Sequence, residues 1–217
     1  MVGQRADKPG QVRLAMMGVA EGHTGKGIGK QLVQALIAQE RERGTKRIEL
    51  ECITINEPAL KLYLNQGFQK YRQLSGWERD PIPEGEFQQN PDLKQVEVEM
   101  VREIAKKHMA PDLAWQAWNA WSETKTHDAY QLGNTYAIIT KPDDKNSDKV
   151  SLTSLFVMPE YRRQGQGERM AKALLALCVG KKVMVGALFP REYGEEMAAK
   201  LGFRDTEIQQ FHLEMNL

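Results

Sequence analysis

At 217 residues, with 41% hydrophobic, 27% charged and 7% aromatic side chains, the chain has apolar mass for a buried core and length for one large domain or two compact ones. Lysine and arginine number 30 against 29 aspartate and glutamate, a formal charge of +1, so no broad field exists for gripping nucleic acid and any anion site must be local. Cys52 and Cys178 lie far apart inside apolar runs and read as buried thiols of a reducing compartment, not as a disulfide or a metal cluster; no apolar stretch reaches the roughly 18 residues of a membrane span, and the expectation is a cytoplasmic protein with no metal and no membrane partner.

In chain order, Val12 to Val19 is an apolar run of strand length, followed by a glycine-rich turn over Thr24-Gly-Lys-Gly-Ile-Gly29. Ile28, Leu32, Val33, Leu36 and Ile37 then share one face of a predicted helix that Gly44 is placed to end. Ile48, Leu50 and Cys52 alternate with Glu49 and Glu51 as a strand. Asn56 follows as a good N-cap, Pro58 sits in the first turn of a short helix, and Gly67 closes it. Residues 78–94 read as a loop, Lys94 to Val101 as a strand carrying Val96, Val98 and Met100 on one side, and 111–124 as a helix starting at Pro111. Leu132-Gly133-Asn134-Thr135 is a hairpin-turn signal, and Asp143 to Lys149 a polar loop.

From Val150 the pattern repeats. Val150 to Val157 is a strand, Arg162-Arg-Gln-Gly-Gln-Gly167 a second glycine turn, and Met170, Leu174, Leu177 and Cys178 a helical face, with Gly180 placed to cap it and Lys182 to Phe189 a further strand. Val19 through Lys30 lines up without gaps on Val157 through Glu168, and Gly67-Phe68 lines up on Gly202-Phe203. Each copy is strand, glycine turn, helix, strand, helix, which predicts an α/β fold with a parallel strand pair. The units are expected over 1–101 and 102–217.

A glycine turn that opens a helix presents backbone N–H groups at the positive end of the helix dipole, an arrangement suited to phosphate oxygens. A P-loop requires G-x-x-x-x-G-K-[ST], but Gly27 follows Lys26 and the second turn has no lysine; the dinucleotide fingerprint G-x-G-x-x-G lacks its third glycine in both copies. Arg162 to Gly167 instead resembles the R/Q-x-x-G-x-G/A acyl-CoA loop of the GNAT N-acetyltransferase superfamily, and Thr24 to Gly29 resembles it too, with Thr24 in place of Arg or Gln. Asn56-Glu-Pro-Ala-Leu-Lys-Leu-Tyr-Leu-Asn-Gln-Gly-Phe68 looks like the family's N-x-x-A-x-x-x-Y-x-x-x-G-F helix.

The resemblance implies a tandem GNAT fold, an α+β mixed sheet in each unit, and acetyl-CoA as the acyl donor for an amine on a small molecule or a protein N-terminus. Val19 and Val157 would mark where strand pairing with the pantetheine arm ends. Thr24, Gly25, Lys26, Gly27, Ile28, Gly29 and Lys30 would hold the coenzyme in one copy, and Arg162, Arg163, Gln164, Gly165, Gln166, Gly167 and Glu168 in the other. Asn56 would face the coenzyme and Tyr63 would protonate the departing thiolate. The second copy departs from the pattern, with Ala198 at the position of Tyr63 and Arg191 near that of Asn56; Tyr193 falls on another helix face. Family domains begin with a strand, two helices and a hairpin before the loop strand, whereas here Met1-Val-Gly3 already resembles the start of the hairpin strand just before it, so the first copy lacks the half that usually forms much of the acceptor pocket. Its uncovered edge invites association with another segment or a second copy of the chain.

Transfer from a thioester to an amine requires a deprotonated amine, a donor for the developing oxyanion and an acid for the thiolate. No Asp or Glu lies in 12–19 or 150–157, so Glu51, Glu21 or a water relay remain as bases. Trp115, Trp118 and Trp121 share a helical face and read as core or an interdomain seam before an acceptor pocket. His23 aligns with Tyr161 and reads as a packing ring, and the basic clusters at 41–47 and 102–107 as solvated faces. The alternative to an enzyme is a non-catalytic CoA-binding or scaffold module built from degenerate repeats.

Overall fold

The computed structural model describes residues 1–4, 8–108, 113–114, 117, 126–142 and 147–217. The helix expected over 111–124, with its three tryptophans, lies outside these residues apart from Leu113, Ala114 and Ala117. The chain forms two compact units, Met1–Leu74 with Ile208–Leu217, and Ser75–Glu207. These boundaries differ from the expected division at 101/102: the chain passes to the second unit after Leu74, within a strand, and returns to the first after Glu207.

The first unit holds β1 (Val2–Gln4), β2 (Gln11–Leu14), α1 (Ile28–Glu42), β3 (Arg47–Ile53), α2 (Glu57–Asn65), the start of β4 (Gln69–Arg79) and β11 (Gln210–Asn216). Its strand order is β1-β2-β3-β11-β4. Only β2 and β3 run parallel, pairing Gln11 with Arg47 through Arg13 with Glu49. The remaining neighbours are antiparallel. Val33, Leu36 and Ile37 of α1 pack with Ile48, Leu50 and Leu213, the last three at most 1% exposed, so each stabilises the fold by about 1.5–3 kcal/mol. Leu32, expected on the same face, is 43% exposed instead. Glu40 continues the buried face toward the far end of the helix, accepting from Thr45 Oγ1 at 2.7 Å and Arg43 Nη1 at 2.9 Å.

The second unit holds the end of β4, β5 (Lys94–Val96), α3 (Val98–His108), β6 (His127–Leu132), β7 (Thr135–Thr140), β8 (Lys149–Val157), a 3-10 turn (Pro159–Tyr161), α4 (Gln166–Leu175), β9 (Lys182–Pro190), α5 (Arg191–Lys200) and β10 (Arg204–Asp205). Strand order is β4-β9-β8-β7-β6-β5, with β10 paired to β4. The hairpin forms as its sequence signals, with Leu132 opposite Thr135 and Gly133 at φ +58°. Gly76 of β4 has Ala187 N at 3.0 Å and Val185 O at 3.1 Å from where a Cβ would stand, which explains a glycine inside a strand. Lys94 to Val101 is a strand only through Val96. From Val98 helical spacing wins, because Val101 and Ala105 bury on one face against Ala129, Ile138 and Phe156.

Three helix ends share one construction. Gly44 N donates to Arg41 O and Thr45 N to Glu40 O; Gly67 N donates to Leu64 O and Phe68 N to Tyr63 O; Gly202 N donates to Ala199 O and Phe203 N to Ala198 O. Each glycine has positive φ, and each pair of bonds is a Schellman motif. Tyr63 and Ala198 therefore occupy the same position relative to their caps. Gly180 does not cap α4, which stops at Leu175; it takes φ +74° in the turn before β9 and donates to Ile82 O.

Candidate functional site

The two glycine turns adopt one backbone conformation. Gly25 and Gly27 have φ of +75° and +78°, and the aligned Arg163 and Gly165 have +59° and +72°. Left-handed residues at alternate positions turn successive amides inward, a geometry suited to an anion. Arg163 adopts it without being glycine, at a cost of about 1–2 kcal/mol. Gly27 and Gly165 are the N-caps of α1 and α4, and neither offers a capping side chain. A Cβ on Gly25, Gly27 or Gly165 would meet nothing within 4 Å, so the approach to the amides is open. By contrast, a Cβ on Gly29 would stand 3.3 Å from Leu62 and 3.8 Å from Val19, and one on Gly167 3.6 Å from Val157 and 3.9 Å from Met197. The same three structural positions thus meet in each unit: the residue ahead of the loop (Val19 or Val157), the last loop glycine, and the residue before Tyr63 or Ala198.

In the second unit β8 and β9 pair from Lys149/Lys182 to Leu152/Val185 and no further. Beyond that point the two strands separate and border a cavity of about 780 Å³. Leu155, Val157 and Phe189 line it from the strands, Arg163, Gly165 and Gly167 from the turn, and Met197 and Ala198 from α5. Where the first unit has the Tyr63 ring, edge-on to Phe68 at 5.7 Å, the second has Ala198 and Phe203 facing this cavity. Tyr161 and Tyr193, the latter expected on another helix face from the position matching Tyr63, also line it. Tyr161 is 40% exposed and His23 is exposed too, so neither packs as a core ring.

The first unit's loop strand is shorter than expected. β2 ends at Leu14, not Val19: its ladder to β3 stops at Arg13 and its ladder to β1 at Leu14, and Ala15 N and Met16 N both donate to Met1 O. From the last β2–β3 pair, Arg13 reaches along β3 to a buried ion pair, its Nε donating to Glu51 Oε2 at 2.6 Å. Glu51 is therefore engaged and is poorly placed as a base; Glu21 is exposed at the surface. Tyr63 is 8% exposed, and burial pushes its phenol above the ordinary range, with neighbouring Cys52 adding to the effect.

The remaining side chains divide between turn and scaffold. Asn56 Oδ1 accepts from Ala59 N at 3.2 Å and caps α2. Lys26 Nζ donates to Gly22 O, and Gln164 Nε2 to Glu160 O. Arg162 braces its own turn, donating to Val157 O and His108 O at 3.1 Å each. Glu168 pairs with Lys172 along α4 at 2.7 Å, and that hydrogen bond holds its carboxyl below the usual range. Thr24 and Lys30 are exposed, while Ile28 and Gln166 are half-buried at the helix starts. Sequence reasoning missed the Arg13–Glu51 pair, for which the signal was an arginine inside an otherwise apolar strand.

The chain matches the Acetyltransferase (GNAT) family over residues 1–68 and 107–203. Rat N-acetyltransferase 8F1 is 38% identical over 60 residues, which are 28% of this chain and 27% of that protein. Streptothricin acetyltransferase of Streptomyces lavendulae is 44% identical over 50 residues, 23% of this chain and 26% of that protein. The chain thus spans about a quarter of the curated relatives it matches. Among solved structures, a GCN5-related N-acetyltransferase from Sphaerobacter thermophilus aligns with TM-score 0.62 at 12% identity, over 95% of this chain and 73% of that one. A tandem GNAT protein from the clavulanic acid biosynthesis pathway aligns with TM-score 0.59 at 13% identity, over 95% and 75%. At such identities these two alignments speak to the fold alone.

Proposed function

The chain belongs to the GNAT acetyltransferase family, and from that footing we propose that it moves an acetyl group from acetyl-CoA to a primary amine. The observation that carries this reading is the doubled bend, with left-handed residues at 25 and 27 and again at 163 and 165, each opening an uncapped helix. Acetyl-CoA supplies a thioester that an amine can attack. The open amides around Gly25–Gly29 and Arg163–Gly167 suit its diphosphate, since nothing blocks their approach at the three glycine positions without a close neighbour. Lys26 and Lys30 in one copy, and Arg163 in the other, add local positive charge.

In the first unit Tyr63 holds its proton at Oη well into alkaline pH, because burial disfavours the phenolate. That makes it the acid for a departing thiolate. The second unit has the turn and the cavity but Ala198 in place of the phenol, so its role is to bind the coenzyme. Glu51 is held by Arg13, which favours a water relay over a direct carboxylate base. The name of the Streptomyces relative favours a small-molecule amine over a peptide N-terminus.

A second reading, a CoA-binding module without turnover, is favoured by the replacement of the acid in the second unit and the deep burial of Tyr63 in the first. Acetyl-CoA calorimetry and a panel of amines assayed for thiol release separate the readings. Tyr63→Phe should lower turnover about ten- to a thousandfold with coenzyme affinity retained. Saturable binding with no thiol release from any amine would establish the second reading, and absence of binding would sink both.

A further inference from the structure

The cavity of the second unit does not end where β8 and β9 come together. Its walls run back over the paired stretch of the two strands, to Leu152, Val150 and Val183, and to Leu174 of α4 and Cys178 just after it. Val150, Val183, Leu174 and Cys178 are each at most 4% exposed, so this inner lobe lies within the unit's core. The Cys178 thiol is spent on Leu174 O at 3.2 Å, which leaves the lobe an apolar lining. Of the charged side chains on the cavity wall, Arg162, Arg163, Glu192, Glu196 and Lys200 are exposed at the rim, and Glu168 is half-buried against Lys172.

Two exchanges between the copies open this space. Ala171 holds the place in α4 that Val33 holds in α1, counted from the helix start, and Ala198 stands where the first unit has Tyr63. Val33 is fully buried, Tyr63 is 8% exposed, and both fill the first unit's core, whereas the two alanines line the cavity. Bulk removed from a packed interior leaves a void that weakens the fold in proportion to its volume. A void that is apolar and joined to an open mouth suits an apolar ligand.

The direction of entry identifies that ligand. A coenzyme held by its diphosphate at Arg163–Gly167 would run its arm along β8 from Val157 toward Leu152, the stretch over which the strands stand apart. Its sulfur end then points at the paired strands, and the acyl group lies ahead of it, under α4. At this joint Ser154 Oγ lines the cavity, is 1% exposed and has no hydrogen-bond partner among the described residues, a hydroxyl suited to a thioester carbonyl. From Leu155 back to Val150 the strand covers about 15 Å, well beyond the reach of an acetyl group.

We propose that the second unit binds a medium-chain acyl-CoA, its hydrocarbon chain lying in the lobe walled by Val150, Leu152, Ala171, Leu174, Val183 and Ala198. The proposal rests on reading the second glycine turn as a coenzyme site, and it replaces acetyl-CoA there by a longer acyl thioester. The space left by the missing phenol at Ala198 becomes room for the chain.

Titration calorimetry of the full chain with acetyl-CoA, butyryl-CoA, octanoyl-CoA and sodium octanoate tests this. Burying one methylene is worth about fourfold in affinity. After the cost of ordering the chain, octanoyl-CoA should bind one site at least about fiftyfold more tightly than acetyl-CoA, with butyryl-CoA between them. Ala198→Phe restores the bulk of Tyr63 without its acid, and Ala171→Val copies Val33. Each should cut the gain at least about fourfold and leave acetyl-CoA affinity within about threefold. Circular dichroism checks that both variants fold; if Ala198→Phe does not, Ala171→Val alone decides. Acetyl-CoA bound with no gain for octanoyl-CoA would overturn the acyl lobe and leave the acetyl-transfer reading standing. No binding of any CoA ester would sink both. Octanoate binding as tightly as octanoyl-CoA, or a gain that survives both variants, would also overturn the proposal, since the chain would then bind without the coenzyme or outside the lobe.

Discussion

Replacing Gly165 by alanine separates what the second glycine turn does for folding from what it does for binding. At φ +72° a Cβ costs about 1–2 kcal/mol, while the stiffer unfolded chain returns about 0.4–1 kcal/mol. No neighbour lies within 4 Å of the new methyl, so no clash adds to this. The net destabilisation is therefore about 0.5–1 kcal/mol, a fall in melting temperature of roughly 1–4 °C for a chain of this size. The methyl does, however, project over the amides that open α4. Loss of one hydrogen bond to a charged phosphate is worth about 1.5–3 kcal/mol, which is about ten- to a hundredfold in affinity. Differential scanning calorimetry and acetyl-CoA titration calorimetry on the same preparation read the two effects apart. Gly27→Ala, at φ +78° with equally open space, is the matched perturbation of the first turn. A binding stoichiometry of two that falls to one in either variant would show both turns at work. An unchanged affinity in both variants, alongside the expected small loss of stability, would refute the claim that these amides hold the coenzyme.

Two further outcomes follow from single residues. Arg163→Gly, which gives the second turn the glycine that the first has at Gly25, should release left-handed strain and leave the midpoint of urea unfolding unchanged or raised, by up to about 1 kcal/mol in stability; a clear loss would mean that the arginine side chain holds the turn. Burial pushes the Cys178 thiol from 9.0 up to about 12, with Lys181 acting weakly the other way. Because the unfolded chain gives up this proton first, the group's contribution to stability is full below about pH 9 and is lost as pH rises, by about 1.4 kcal/mol per pH unit until the folded thiol ionises. Urea titrations of wild type and Cys178→Ala between pH 8 and 10.5 should therefore diverge in slope, and parallel slopes would contradict the burial argument.

What could be read in the residue pattern is what depends on neighbours in sequence. Glycine at 25, 27 and 165 announced the turns because only a bend needing positive φ and close backbone approach concentrates glycine so. The pairs Gly67-Phe68 and Gly202-Phe203 announced two matching helix ends for the same reason. Local pattern failed where a partner far along the chain decides. Val12 to Val19 has strand composition throughout, yet its pairing with β3, beyond α1 in sequence, stops at Arg13. Val96, Val98 and Met100 alternate like a strand, yet burial of Val101 and Ala105 turns the segment helical two residues after β5. Arg163 shows that a left-handed position can be filled by a residue that does not advertise it.

The largest gap between pattern and structure concerns the chain's course. After the helix ending at Gly67, β4 starts in one unit and finishes in the other; after the helix ending at Gly202, the chain forms β10 in the second unit and β11 in the first. The repeat is thus carried through to the last strand, but each copy completes a unit that the other copy began. Such an exchange leaves no trace in periodicity, since β11 has the alternation any half-buried strand would have. Its consequence is chemical as well as topological. The strand that returns sets Glu214 opposite Glu49 and His212 opposite Glu51, so a cluster of ionisable groups arises from segments far apart in sequence. Leu213 and Met215, on the other face of the same strand, fill the first unit's apolar core beside Leu50 and Ile48. Tyr63 and Phe68 belong to that core as well, so the acid assigned to the first unit is held in place in part by residues the chain supplies last. A chain shortened before β11 would lose Leu213 from the core, where it is fully buried, and with it the packing that desolvates the Tyr63 phenol.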